Sequence, residues 1–448
     1  MAAFRPPLVD SSRIRALAVA HLDNAGISRL KLLPQHKVSS AGSKGATMSL
    51  SVGMLFSVDD HVNSVPELDA TVGDLRAVPD MSAVALLDEQ RGLAWAPADI
   101  RSLDGSPHST CQRSLLAAVD ARARQAGLDF LVGFEIEFTL FTGTKAAPVL
   151  AHTGPGYGML PFLELESWHL DLLDALAIAG VPAEQLHPEY GPGQLELSLA
   201  PRPAVRAVDD YVLARQVITR VSQAHGLLVS FAPVPVVGAI ANGCHVHLSA
   251  TRDGRPVFHD PGQPTGFSPE AGHLVAGVLE HLDEGVALLG GSTLSFERLR
   301  PHNWAGAYVC WGTGNREAAV RYMPGAAGFG GEQSNIEIKC VDPAANQYLA
   351  VAALMGSALD GLDRRLPLPA EVQVEPGTLG EAERAAGRVR PFPPDLGAAL
   401  QLLAGSPFFA ELLGPVLHSS YCAVRQHDWE TFGTRPPADV AAAVRWRF

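Results

Sequence analysis

The sequence predicts an α+β protein, with a small helix-plus-sheet domain in its first hundred residues and a larger domain behind it. Two observations carry this. Four short stretches alternate residue by residue between apolar and ligand-type side chains, the period of a half-buried strand: Gly133–Leu140 (GFEIEFTL), Gln194–Leu199 (QLELSL), Cys244–Leu248 (CHVHL) and Asn335–Cys340 (NIEIKC). Between and after them run apolar stretches of helical period, punctuated by Gly and Pro.

In chain order, Ser11–Asn24 has Ser at its start and apolar residues at Ile14, Leu17, Ala18 and Leu22, which predicts a helix. Ile27–Leu33 and Gly53–Val58 are predicted strands, joined by a Ser/Gly-rich loop at Ser39–Ala46; Asp59-Asp60-His61 ends the second. Val72–Val78 and Ala83–Asp88 continue the sheet, and Pro107–Gly127 holds an amphipathic helix. His152–Met159 is loop, and Trp168–Ala179 is a helix stopped by Gly180 and Pro182. Ala207–His225, His273–Leu289 and Pro343–Leu362 are further predicted helices, the last Ala-rich and suited to the core. Gly254–Thr265 is a Pro/Gly-rich excursion, and Leu299–Met323 is polar and aromatic without clear period. Leu366–Pro394 is an extended surface segment, with helices near Leu396–Leu403 and Pro437–Arg445 beyond it.

The net charge of -13 argues against a nucleic-acid partner and against an anionic membrane surface. Any bound anion then needs local cations. No apolar run reaches the length of a membrane span, and no signal peptide is evident, so a soluble cytoplasmic protein is expected. The five cysteines are scattered without a CxxC pair, which suits free thiols in a reducing compartment. No internal repeat, GxGxxG or P-loop pattern is present, so a bound nucleotide must be held by other means.

The chemistry lies on the four alternating strands. Glu135 and Glu137 share one face of the first, Glu196 stands on the second, His245 and His247 on the third, and Glu337 and Lys339 on the fourth. On one strand, paired carboxylates equally describe a solvated acidic edge. Four such strands describe the walls of one cavity, where a divalent cation turns mutual repulsion into binding. Carboxylates with imidazole suit Mg²⁺ or Mn²⁺ better than zinc.

These pieces, in this order, resemble the glutamine synthetase family. The chain carries a Glu135-Ile136-Glu137 strand, an E…GQxE element at Glu189–Glu196, an HxH strand at His245–His247, an NR…R element at Asn315-Arg316 and Arg321, and an IExK…DPAANxYL run at Ile336–Leu349. The resemblance implies a small N-terminal beta-grasp domain over residues 1–107. It also implies a large catalytic α/β domain over 108–448, with an antiparallel strand funnel. It further implies a homo-oligomer, a dodecamer of two hexameric rings, whose active sites form between neighbouring subunits. The implied reaction is ATP-dependent amide formation: a carboxylate takes the γ-phosphoryl group of ATP and an amine displaces phosphate. The expected partners are thus a small-molecule acid, an amine and ATP.

By the same resemblance, Glu137, Glu189 and Glu196 hold one metal ion and Glu135, His245 and Glu337 a second. His247 and Ser249 contact the nucleotide, Arg316 and Arg321 stabilise the transferring phosphoryl group, and Arg298 binds the carboxylate substrate. Asp60 has the spacing to Asp74 of the family's amine-receiving Asp, although DHVN replaces the family's DGSS. Other departures concern specificity. Trp304 stands where the family has a Glu that binds and deprotonates ammonium, which replaces a carboxylate with an apolar, cation-binding wall. Lys339 replaces an Arg on the amino-acid carboxylate, and Ile240-Ala241 stands in place of Asn-Gly. The family's adenylylated Tyr has no counterpart. These departures favour the branch that makes γ-glutamyl amides of organic amines, polyamine or ethanolamine in type. The alternatives are glutamine synthesis from ammonia, ligation of a non-glutamate acid, and a catalytically silent relative.

Overall fold

The computed structural model describes residues 10–68, 71–326 and 331–448. The N-terminal sheet comprises β1 (Ala16–Leu22), β2 (Ser28–Pro34), β3 (Ala46–Ser49), β4 (Asp74–Pro79), β5 (Ala85–Asp88) and β6 (Leu93–Arg101). Its order is β2-β1-β6-β4-β3, with β5 on β6. β1 and β6 run parallel at the centre, and their neighbours pair antiparallel. Helix Gln35–Lys44 lies on this sheet through Val38 and Ala41, the helix-in-sheet arrangement of a beta-grasp domain.

Three expectations for this domain are corrected. Ser11–Asn24 is not a helix: after a short 3-10 turn it becomes β1. Its run ALAVAHL is buried on both faces, Leu17 and Val19 in the N-terminal core and Ala18, Ala20 and Leu22 in the main core. A two-sided strand shows no alternation, so its apolar positions mimic helical spacing. Within Ser39–Ala46, residues up to Lys44 end a helix that begins after Pro34, Gly45 stops it and Ala46 opens β3; packing overrides the weak propensity of Ser and Gly. Gly53–Val58 is not a strand: Gly53 and Met54 end a short helix, Leu50–Met54, and Phe56 makes an isolated bridge to Val62 beyond it.

The large sheet comprises β7 (Asp129–Thr144), β8 (Ala147–Leu150), β9 (Ala183–Pro188), β10 (Gln194–Arg202), β11 (Leu228–Ser230), β12 (Cys244–Arg252), β13 (Arg255–Pro256), β14 (Tyr308–Thr313), β15 (Ala318–Met323), β16 (Asn335–Ile338) and β17 (Arg390–Pro391). The main path is β17-β14-β15-β16-β12-β7-β10-β9, antiparallel at every step except β14–β15. The apolar faces of β7, β10, β12 and β16 meet helices Ala204–Ala224 and Gln347–Arg364 in one core, with Phe134, Ile136, Phe138, Leu195, Leu197, Val246 and Ile338 all buried. The opposite faces of these strands are left for ligand groups.

The stretch Leu299–Met323 proves to contain β14 and β15, whose residues are mostly buried and so lack a period. The predicted helix His273–Leu289 divides into Pro269–His281 and Val286–Leu289. Two helices, Pro407–Leu413 and Pro415–Phe432, fill the interval before the last one.

Arg113, on helix Gln112–Gln125, ties the two sheets together. It binds Asp80 and Asp99 of the N-terminal domain at 2.8 and 2.9 Å and Asp209 of the long helix at 2.9 Å. Tyr348 donates to the same Asp209 at 2.6 Å.

Candidate active site

Strand register brings the ligand-type side chains together. β7 pairs with β12 so that Glu135 faces His245, and with β10 so that Glu137 faces Glu196. β16 places Glu337 opposite both His247 of β12 and Arg321 of β15. β9 places His187 opposite Glu196. Side chains paired this way project from the same face.

The resulting contacts are short. Glu135 bonds His245 Nδ1 at 3.0 Å and lies 3.2 Å from His247 Nε2. Glu337, 2% exposed, accepts from Lys339 Nζ and Arg321 Nη1, each at 3.0 Å, and lies 3.5 Å from His245. Among the described residues two triads could hold a metal ion, Glu135–Glu196–His245 and Glu135–His247–Glu337, each with its ligand atoms within 4.8 Å of one another. The grouping differs from the one the resemblance implies. Glu137 instead accepts Gly243 N–H and Gln194 Nε2, at 2.8 and 2.9 Å. Glu189 accepts Tyr157 Oη at 2.6 Å. His187 stands between Glu189 and Glu196, at 3.6 and 3.4 Å.

The electrostatics mark a shortage of positive charge on one side. Burial opposes ionisation of Glu337, but Lys339 and the two imidazoles outweigh it and hold the carboxyl at about 2. Burial likewise opposes ionisation of Glu135, and its hydrogen bonds to His245 and His247 overcome this and lower it. Glu196 and Glu189 go the other way: burial and the neighbouring carboxylates raise both. Oxygen-rich donors with an imidazole, some short of cations, fit a hard divalent ion.

Arg298 backs the cavity. It is buried, donates Nη2 to the Lys339 carbonyl at 2.8 Å, lies 3.5 Å from His245, and keeps Nη1 without a partner. A Cβ at position 243 would stand 2.6 Å from Arg298 Nη2 and 2.9 Å from His245 Nε2, so any larger residue there would push these two groups out of place. Lys339 Nζ donates to Glu337 at 3.0 Å and lies 3.5 Å from His245. Arg321 keeps its buried Nε free. Ser249 follows His247 on the same face of β12, and Arg316 lies exposed in the turn between β14 and β15.

Over the Glu189 side lies an aromatic lip. Trp304 and Tyr190 have ring centroids 6.5 Å apart, and Tyr190 and Tyr157 are separated by the same distance. All three remain open to solvent, at 57, 58 and 59% exposure. Asp60 is elsewhere. It sits at φ 66° and pairs with Arg29 at 2.9 Å and with Arg447 at 2.6 Å, making no contact with the carboxylate cluster of its own chain. The sequence reading missed His187, Tyr157, Tyr190 and Gln194. His187 was accessible in principle, because it alternates with Leu186 and Pro188 beside Glu189. The aromatic residues belong to loops, where no period marks a side chain's direction.

A sheet that turns carboxylates and imidazoles from its strands to one face, with the buried Arg298 guanidinium behind, has the donor set that metal-assisted group transfer uses. Residues 109–441 match the glutamine synthetase catalytic domain. The chain belongs to the glutamine synthetase family and is an ATP-dependent ligase, and members of that family use divalent metal ions. It is 40% identical over 438 residues to the gamma-glutamylpolyamine synthetase GlnA3 of Streptomyces coelicolor, covering 97% of this chain and 94% of the relative. It is 31% identical to the glutamine synthetase of Thermus thermophilus, covering 80% of this chain and 82% of the relative. A crystal structure of a novel glutamine synthase homolog superposes with a TM-score of 0.86 at 30% identity, covering 97% of this chain and 99% of that one.

Proposed function

We propose that this ligase joins the γ-carboxylate of glutamate to an organic amine, with polyamines as the leading substrate class. The observation that carries the reading is the lip of Trp304, Tyr190 and Tyr157 above Glu189. Flat apolar rings beside a carboxylate suit an alkylammonium, whose methylenes gain from burial and whose charge gains from the ring faces. Ammonium gains little from such a wall. The similarity to the gamma-glutamylpolyamine synthetase supports the same choice.

In the first step the γ-carboxylate of glutamate attacks the γ-phosphorus of ATP, releasing ADP and leaving an acyl phosphate. In the second the bound alkylammonium first gives a proton to solvent, the free amine nitrogen attacks the acyl carbon, the bond from that carbon to the phosphate oxygen breaks, and the nitrogen passes its surplus proton to the departing phosphate. Arg298 meets the substrate carboxylate with its unpaired Nη1. Arg321 offers a guanidinium already fixed by Glu337, and Arg316, exposed in its turn, is the second candidate; permanent forked cations suit charge that develops on phosphoryl oxygens. His247 and Ser249 face the nucleotide. Glu135, Glu137, Glu189, Glu196, His245 and Glu337 would hold Mg²⁺ or Mn²⁺, which would supply neutralisation of phosphate charge. Lys339 holds Glu337 in its ionised form, and from that position it also borders the acid.

Asp60 serves the amine site of a neighbouring subunit in a cytoplasmic homo-oligomer, with residues 1–107 and 108–448 as the two domains. The test is phosphate release from ATP across a panel of acids and amines. Highest catalytic efficiency with ammonia identifies a glutamine synthetase instead, and release with another acid but not glutamate identifies a different amide ligase.

A further inference from the structure

Trp304 does not hold its position through its own side chain. The turn that carries it, between Arg298 and β14, contains two non-glycine residues in the left-handed region, His302 at φ 68° and Trp304 at φ 52°. Such residues are strained and persist only where their surroundings fix them. The fixing group is Glu317, which precedes β15 and is 6% exposed. Its Oε1 accepts the Trp304 backbone N–H at 3.0 Å. Its own N–H is held by Asn315 Oδ1 at 3.0 Å, and Asn315 in turn donates to the carbonyls of Val372 and Val374. Burial raises the Glu317 carboxyl, and the Trp304 and His302 amides work against that rise. The second oxygen, Oε2, is buried without a well-formed partner, so the His302 amide contributes only a weak contact. A buried carboxylate is thus spent on the backbone of an exposed turn, which a surface loop does not ordinarily need.

We propose that Glu317 is a positioning residue for amine selectivity, holding the turn so that the Trp304 indole stands against Tyr190. This rests on the reading of the chain as an amine ligase. Glu317 does not touch the amine. It acts through the backbone of Trp304, whose ring then completes the lip with Tyr190 and Tyr157 over Glu189. Without it the turn relaxes from its left-handed geometry and the indole leaves the lip. The carboxylates and imidazoles of the cavity lie on other contacts and stay in place.

The test compares catalytic efficiency for putrescine and for ammonia, with ATP and glutamate saturating, in the unmodified enzyme, E317A, E317Q, W304A and E317A/W304A. E317A is expected to lower the putrescine-to-ammonia ratio about tenfold, with the KM for ATP unchanged. E317Q keeps an oxygen for the Trp304 N–H and is expected to restore most of the ratio. In the W304A background E317A is expected to change the ratio no further, because one residue acts through the other. If E317A does not fold, E317D, which withdraws the carboxylate by one methylene, carries the same comparisons. An unchanged ratio in E317A overturns the inference. So does an equal loss with both nucleophiles, or an effect that adds fully to W304A. An unmodified enzyme without amine-dependent phosphate release overturns the amine-ligase reading itself, and the inference with it.

Discussion

Replacing Trp304 with Glu restores a carboxylate to the lip and removes its largest ring. The expected size follows from how open the lip is. Trp304 and Tyr190 are each more than half exposed, with ring centroids 6.5 Å apart, so a bound alkyl chain is covered on one side rather than enclosed. Full burial of a methylene contributes about 0.8 kcal/mol, so half-burial of the four methylenes of putrescine contributes roughly 1.6 kcal/mol. Contact of the ammonium with an exposed ring adds about 0.5–1 kcal/mol. Removal of the indole therefore takes roughly 2 kcal/mol from putrescine, or about thirtyfold in catalytic efficiency. Ammonium has no methylenes to lose, and it gains an anion. The ratio of efficiencies for putrescine over ammonia should fall by at least about tenfold in Trp304→Glu. The assay is steady-state phosphate release at saturating ATP and glutamate, varying putrescine, ethanolamine and ammonium. A ratio that stays constant refutes the reasoning, because the lip then contributes nothing to the choice of nucleophile.

Other expectations follow from the same contacts. Glu337→Ala, which removes the carboxylate shared by Lys339, Arg321 and the imidazoles, should abolish ATP turnover and weaken Mn²⁺ binding measured by electron paramagnetic resonance, while the circular dichroism spectrum is retained. Arg321→Lys should lower kcat by roughly a hundredfold, about 3 kcal/mol, because an ammonium cannot hold Glu337 and reach the phosphoryl group at once; an unchanged kcat makes Arg321 structural. Arg447→Met, which removes one of the two guanidinium groups on Asp60, should raise the KM for the amine and leave that for ATP unaltered; equal changes in both disconnect Asp60 from the amine. Arg113→Met should destabilise the fold by about 3–5 kcal/mol, because it leaves Asp209 buried and Asp80 part-buried with no cation, and Asp99 with only Arg101 at 3.9 Å; a denaturation midpoint within error of the unmodified protein excludes that role.

What the sequence revealed and what it concealed divide along a physical line. The cavity was legible because a strand with one buried face must alternate, and a carboxylate or imidazole on the other face then declares itself. Glu135, Glu196, His245 and Glu337 were found that way, and strand register did the rest. β1 and β15 were not legible, because strands covered on both sides have nothing to alternate with. The helix Gln35–Lys44 was hidden by its Ser and Gly content, since its stability comes from the sheet beneath it. The lip was hidden for a different reason. Trp304 was visible as a departure from the family pattern, but its partner Tyr190 lies in another loop, and its support, Glu317, looks in sequence like an ordinary charged residue beside Arg316. Neither relation has a spacing rule, because each depends on a backbone held at positive φ by a contact made across the fold. Most of the groups proposed for metal binding and phosphoryl transfer thus sit on regular strands, where sequence period reports them, with Arg316 in a turn as an exception. The groups proposed to select the nucleophile sit on irregular turns, where only the assembled structure brings them together. Substrate choice can therefore change by substitutions in the turns while the strands, and the chemistry they hold, stay as they are.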